Sequence, residues 1–310
     1  MEMGKNMGAM QREHSITFQA MGCQATAHLD ITHSDSHILE KVPIWIDDIE
    51  ASISPRRFDS ELTWVNKHHG KWIKVSDTLL ANLQSAILAA HLTKGLSTPF
   101  AMDVTNIEGD RPSYAQLIEP NDVPKITTDS SNWRNIKIDN KDNRVNIPAP
   151  VDFSDTMKGW TARYVARQLR KYGSSLVDIG GVMVACGPHE WHLDIINNAF
   201  PASDKVVVKL SEGALVTRSA NTQHYSCEGQ TLHRIVAPRT DHPANPDILS
   251  VTVLHSDVIV AEASARNVMI LGGEEGLAWL NSHGHTPGMV ICRDGHIHPT
   301  LSFASYVVVN

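Results

Sequence analysis

One segment of the sequence constrains the fold more than any other, because a helix, a buried strand and a pair of glycines follow one another in it without a break. Apolar residues recur at helical spacing over 155–172, and Asp155 can cap this helix. The run 175–179 is a short apolar strand that stops at Gly180 and Gly181. Paired glycines leave room for a ligand to approach the backbone closely. The segment therefore predicts a binding site at the end of this strand.

Helical spacing of apolar residues predicts four further helices, over 37–53, 77–94, 259–271 and 273–282. Pro43 interrupts the first of these patterns, so that helix either kinks at the proline or starts there with proline in its first turn. Alternating or continuous apolar runs predict strands at 24–29, 191–195, 206–208, 215–216 and 248–253.

Capping and turn residues mark where some of these elements end. Asp77 is the predicted N-cap of the helix over 77–94, and Gly95 is placed to end it. Asp294 and Gly295 predict a hairpin turn near the end of the chain. Residues 96–150 show little periodicity and are rich in Pro, Asn and Asp. They predict a long surface excursion, of the kind that often carries function.

Composition argues against several classes of protein. Charged residues make up 20% of the chain and hydrophobic residues 42%, which is typical of an ordered globular protein. The 27 Lys and Arg against 34 Asp and Glu give a net charge of −7, and no basic run stands out. No nucleic-acid partner is therefore predicted. The four cysteines are widely spaced, so we expect reduced, unpaired thiols.

The sequence also bears on location. It contains no stretch of about 18 apolar residues, so no transmembrane segment is predicted. The first fifteen residues lack the apolar region of an export signal. We expect a cytoplasmic location for the chain as given, and a periplasmic one if an export signal has been removed. Residues 1–14 are rich in Met and polar side chains without periodicity, and we expect them to be disordered.

Lys158 lies in the first turn of the predicted helix over 155–172. A cation at that end opposes the helix dipole, which favours anions there. The position is explained if an anion such as a phosphate lies between the lysine and the first backbone amides. The alternative is a solvated lysine without a ligand. The two common nucleotide motifs, the phosphate loop and GxGxxG, are missing, so nucleotide binding would need other means.

Eight short segments of the chain carry a family resemblance: 21–23, 58–62 with Asn66, 101–105, 152–159, 177–181, 217–219, 234–241 and 261–266. Taken in order, over about Phe18 to Val309, they resemble the ApbE family, the FAD:protein FMN transferases. The resemblance implies an α+β fold, a single unit over 15–310 in which a mixed, largely antiparallel sheet packs with helices.

The resemblance also implies a reaction. A threonine hydroxyl of an acceptor protein attacks the FMN-side phosphorus of FAD, and AMP leaves. Lys158 and Arg266 are the implied catalytic residues. The residues that the resemblance places around FAD are Met21, Arg56, Ala101, Met102, Asp103, Asp152, Lys158, Gly180, Gly181 and Val236.

A Mg²⁺ ion at the pyrophosphate is implied as well, and here the sequence departs from the family. The implied ligands are a backbone carbonyl near Asp155 and the side chains at positions 262 and 266. Glu262 replaces the aspartate expected there, and Arg266 replaces a threonine. An arginine carries a positive charge and cannot coordinate a cation.

Three hypotheses remain open at this stage. In the first, Arg266 replaces Mg²⁺ as the positive charge on the pyrophosphate, Glu262 orients it, and FMN transfer continues. In the second, the chain binds FAD but has lost transferase activity. In the third, Glu262 and Arg266 form only an i, i+4 pair that stabilises a helix, and the pocket is empty.

Overall fold

A computed structural model of the chain describes residues 13–31, 33–100, 132–195, 206–220, 224–227, 230–233, 247–284 and 286–308. Fifteen strands lie in these ranges: β1 Glu13–Ala20, β2 Cys23–Asp30, β3 Ile73–Lys74, β4 Lys137–Asp139, β5 Arg144–Asn146, β6 Ser174–Ile179, β7 Val182–Cys186, β8 Trp191–Ile195, β9 Val206–Leu210, β10 Gly213–Ser219, β11 His224–Cys227, β12 Gln230–His233, β13 Ile248–His255, β14 Gly288–Cys292 and β15 Ile297–Pro299.

The same ranges contain six α-helices: α1 Val42–Ile53, α2 Glu61–Lys67, α3 Asp77–Leu92, α4 Met157–Leu169, α5 Val258–Leu271 and α6 Gly273–Ser282. Short 3₁₀ helices cover His33–Lys41, Asn132–Asn135 and Leu301–Tyr306. Within the described ranges, no helix is both long enough and apolar enough to cross a membrane.

Eight strands form one sheet in the order β1-β2-β6-β7-β10-β13-β14-β15, and every neighbouring pair in it is antiparallel. The predicted α+β class with a largely antiparallel sheet is therefore confirmed. Smaller sheets are formed by β3-β5-β4, by β8-β9 and by β11-β12.

The inner strands of the large sheet are buried on both faces, and they carry apolar residues at consecutive positions. In β6, Val177 and Ile179 pack in the core shared with the helices, whereas Leu176 faces a second core. Trp191 of β8 and Phe303 belong to that second core. Since successive side chains of a strand point to opposite faces, the sheet separates a helical layer from a smaller β layer.

Two tight hairpins lie at one edge of this sheet and form part of the site described below. Met21 and Gly22 join β1 to β2 with φ angles of 50° and 70°, and Gly180 and Gly181 join β6 to β7 with φ angles of 60° and 87°. Positive φ at both central residues is the geometry of the type I′ turn, which fits twisted hairpins. β2 pairs with β6 so that Ala25 lies opposite Ile179, which places both hairpins at the same edge.

The structure decides or corrects several expectations about individual elements. Pro43 lies in the first turn of α1, so the helix starts there and does not kink. The N-cap of α3 is Ser76, whose hydroxyl accepts from the Leu79 amide, so the prediction of Asp77 as N-cap was wrong by one residue. Gly95 ends this helix with a φ of 88°, as predicted.

The expectation of a surface excursion over 96–150 was wrong for residues 132–150, which the structure describes. β4 and β5 pair there, β5 also pairs with β3, and Trp133, Val145 and Ile147 are buried. Strands of two or three residues are too short to show a period, so the sequence pattern could not reveal them. At the other end of the chain, β1 includes Glu13 and His14, which the sequence had placed in a disordered segment.

Candidate functional site

Lys158 extends from the first turn of α4 to the hairpin that joins β6 and β7. A methyl group built on Gly180 would lie 3.1 Å from the Lys158 ammonium and 2.8 Å from the Cys23 sulfur. Only glycine leaves this space, and its φ of 60° also favours glycine. The predicted binding residues Lys158 and Gly180 therefore meet at one point beside the β1–β2 hairpin.

Arg56 lies against the same β1–β2 hairpin. A methyl group on Gly22 would come within 1.9 Å of Nη1 of Arg56, so the guanidinium lies directly against the turn next to Met21. The charge of Arg56 also acts on Asp152, the predicted FAD contact that precedes α4. Desolvation raises the pKa of Asp152, while hydrogen bonds from Ser154 and the nearby Arg56 oppose that rise.

Asp155 connects the entrance of α4 with two arginines. Nη1 of Arg266 donates to its carboxylate at 2.7 Å, and Nη2 of Arg218 donates to its backbone carbonyl at 3.1 Å. The prediction that Asp155 caps the helix was wrong. Thr156 is the N-cap residue, and its side chain makes no cap hydrogen bond. The Asp155 carboxylate is bound to Arg266 instead of to the helix.

Glu262 takes the role of an anion at the start of α4. Its Oε2 accepts from the Gly159 amide at 3.1 Å, and its Oε1 lies 3.6 Å from Nη2 of Arg218. A carboxylate at this end of a helix is favoured by the dipole. Burial raises the pKa of Glu262 to about 7, and the charge of Arg218 is the largest opposing effect.

The i, i+4 pairing of Glu262 with Arg266 on α5 is not what the structure shows. Glu262 pairs with Arg218 of β10, and Arg266 pairs with Asp155. The side chains of Glu262, Arg266 and Arg218 are all largely buried. Nε of Arg218 and Nε of Arg266 have no hydrogen-bond partner among the described residues.

The sequence prediction assigned no role to Arg218. Its signal was present, because the segment 217–219 carries an arginine between two hydroxyl residues in one of the motifs of the resemblance. The hydrogen bond from the Thr217 amide to the Gly181 carbonyl, at 2.9 Å, brings the end of β10 to the glycine hairpin. The predicted contacts Ala101, Met102, Asp103 and Val236 lie outside the described residues.

Among the residues that the structure describes, no group of three or more His, Cys, Asp and Glu side chains is placed to hold a metal ion. Cys23, Cys186 and Cys292 are free thiols. The described site therefore consists of four cationic groups, on Lys158, Arg56, Arg218 and Arg266, with carboxylates between them, at the edge of the sheet where two hairpins and the start of α4 converge. Such a site can hold an anion.

The fold matches solved structures over almost the whole chain. The ApbE protein of Thermotoga maritima has a TM-score of 0.81 and 18% identity, covering 96% of this chain and 100% of that one. The flavinyl transferase ApbE of Pseudomonas stutzeri, in its apo form, has a TM-score of 0.77 and 18% identity, covering 96% and 98%.

Relatives named FAD:protein FMN transferase are similar in sequence. The protein of Vibrio cholerae serotype O1 is 26% identical over 261 residues, covering 79% of this chain and 77% of that protein. The protein of Treponema pallidum is 24% identical over 334 residues, covering 97% and 90%. The model of the ApbE family matches residues 21–290. The chain belongs to the ApbE family.

Proposed function

We propose that this protein is an FAD:protein FMN transferase. The observation that carries the proposal is the convergence of Lys158, Arg56 and the Gly180–Gly181 hairpin at one edge of the sheet, in a chain of the ApbE family. Relatives that cover most of the chain bear the name of this activity. The pyrophosphate of FAD carries two negative charges, which suits a site of fixed cations.

The proposed reaction is phosphoryl transfer to an acceptor protein. The hydroxyl oxygen of an acceptor threonine forms a bond to the FMN phosphorus, and the bond from that phosphorus to the bridging oxygen breaks. The bridging oxygen leaves with AMP, and the hydroxyl proton is released. Catalysis of such a step consists mostly of positioning and of neutralising the charge that develops on the phosphate oxygens.

Lys158 is the residue best placed for that neutralisation. Its ammonium lies beside Gly180, where the hairpin leaves space next to the backbone. Arg56 lies against Gly22 of the β1–β2 hairpin, next to Met21, and its charge acts on Asp152, which precedes α4. We propose that the pyrophosphate lies between Lys158 and these elements, as the sequence resemblance implies.

The test uses FAD and a peptide library with one fixed threonine among randomised positions. The library with alanine at the fixed position is the control. AMP release together with flavin on the threonine peptides supports the transferase. FAD that is bound, seen by quenching of its fluorescence, but never cleaved supports the second hypothesis, an FAD-binding protein without transferase activity.

A further inference from the structure

The residues implied as ligands of Mg²⁺ do not fit a metal ion in this chain. The carbonyl oxygen of Asp155 accepts a hydrogen bond from Arg218, and the Asp155 carboxylate accepts one from Arg266. Glu262 is held by the Gly159 amide and by the charge of Arg218. The guanidinium groups that already occupy these oxygen ligands repel a divalent cation from the same place.

The two guanidinium groups bring fixed positive charge to that place. Arg218 reaches it from β10 and Arg266 from α5, and both bind Asp155. A guanidinium has five N–H donors, and the described contacts use few of them. Nε of each arginine is buried without a partner among the described residues. Leaving a buried donor of a charged group unpaired is costly, which indicates that a ligand supplies acceptors here.

We propose that Arg218 and Arg266 hold the pyrophosphate of FAD as fixed cations, so that this chain binds and cleaves FAD without a divalent metal ion. The inference rests on the proposed function for the identity of the anion. Arginine suits this role because its planar fork binds phosphate oxygens in pairs and keeps its charge at every physiological pH. Lys158, beside Gly180, supplies a third charge from the start of α4.

The test is FAD binding by calorimetry, in EDTA and in MgCl₂, for the full chain. We expect the same affinity in both buffers to within about twofold, because bound arginines replace the metal. Arg218→Met and Arg266→Met should each weaken binding in EDTA about tenfold or more, as expected for loss of a charged hydrogen bond. Arg163→Met is the matched control, since Arg163 of α4 pairs at 3.1 Å with Asp257, the N-cap of α5, away from Asp155.

Three more variants keep the test decisive if a methionine variant fails to fold. Arg218→Lys and Arg266→Lys keep the charge but lose the fork, so their FAD affinity should lie between those of the wild type and the methionine variants. Arg266→Thr removes the cation from Asp155 and leaves oxygen ligands there, so FAD binding by this variant should become stimulated by Mg²⁺.

Three results would overturn the inference. FAD binding that needs Mg²⁺ in the wild type would show a metal site and leave the transferase proposal intact. FAD binding that is equal in the wild type and in both the methionine and lysine variants would show that the arginines are structural only. A wild-type protein that binds no FAD in either buffer would overturn the inference and the proposed function together.

Discussion

Arg218 donates a hydrogen bond to the backbone carbonyl of Asp155 at 3.1 Å, across 63 positions of sequence. The bond joins the end of β10 to the residue before the N-cap of α4, and the same guanidinium lies 3.6 Å from Glu262 of α5. The entrance of α4 is therefore fixed by charge from two other elements. Lys158 lies in the first turn of the same helix, so the bond between Arg218 and Asp155 helps to position a residue of the proposed site.

Lys158→Ala should weaken FAD binding about tenfold or more and abolish AMP release, because the variant loses a charge beside the glycine hairpin. Calorimetry measures the first effect and chromatography of AMP the second. Lys171→Ala is the control: Lys171 lies just beyond the other end of α4 and bonds only to Gln168 among described side chains. Unchanged FAD affinity in the Lys158 variant would remove the argument for an anion site.

Gly159→Ala should destabilise the protein by roughly 1–3 kcal/mol, the usual cost of forcing an extra methyl into a packed place. The new methyl would lie 2.2 Å from Oε2 of Glu262 and 2.8 Å from Val258. Urea unfolding measures the loss. In a Gly159→Ala, Glu262→Asp double variant the shorter aspartate side chain leaves room for the new methyl. The double variant should therefore lose less unfolding free energy than the sum of the losses in the two single variants. Strict additivity would mean that the two residues do not share this contact.

Glu262→Gln should change how stability depends on pH. The folded-state pKa of Glu262, about 7, lies above its ordinary value of 4.5. The folded protein therefore binds the proton of Glu262 more tightly than the unfolded chain does. The contribution of this proton to the free energy of unfolding is present at low pH and is lost as pH rises from about 4.5 to 7. Glutamine can still accept from Gly159 but does not titrate.

Unfolding free energies measured between pH 4.5 and 8 should therefore move in favour of Glu262→Gln as pH rises, by up to about 3 kcal/mol. Glu275→Gln, an exposed position on α6, controls for the loss of one acidic group. A difference between wild type and Glu262→Gln that is the same at every pH would contradict the raised pKa.

Asn66→Ala should cost roughly 2–4 kcal/mol of stability. The buried Asn66 side chain bonds both backbone groups of Val151, donating to its carbonyl at 2.8 Å and accepting from its amide at 2.9 Å. Its loss leaves two buried backbone groups unpaired directly before Asp152. Asn82→Ala is the matched control, since among the described residues that buried amide donates only to Thr78 of α3. Equal losses in the two variants would show that the link to Val151 adds nothing.

The sequence revealed the parts of the site that local spacing determines. The helix, strand and glycine pair over 155–181 appear as α4, β6 and the hairpin to β7, and Asp294 with Gly295 forms the turn between β14 and β15. In each case the sequence pattern that predicts the structure lies within one helix or strand and the turn next to it. These residues need no information from the rest of the chain.

Pairings between distant residues could not be predicted in the same way. Spacing alone suggested that Arg266 meets Glu262 four positions away, but it meets Asp155, 111 positions away. Glu262 and Arg266 extend from α5 to different elements, and their partners depend on how α4 and β10 pack against α5. For the same reason Arg218 was missed, although its motif was recognised.

The most direct test of the central claim is a single-turnover measurement of AMP and of acceptor-bound flavin, with FAD, the threonine peptide library and EDTA in excess over metal. We predict one AMP released for every FMN found on a threonine, at a rate that added Mg²⁺ does not raise. FAD that stays intact at full saturation of the protein, with or without Mg²⁺, would contradict the account.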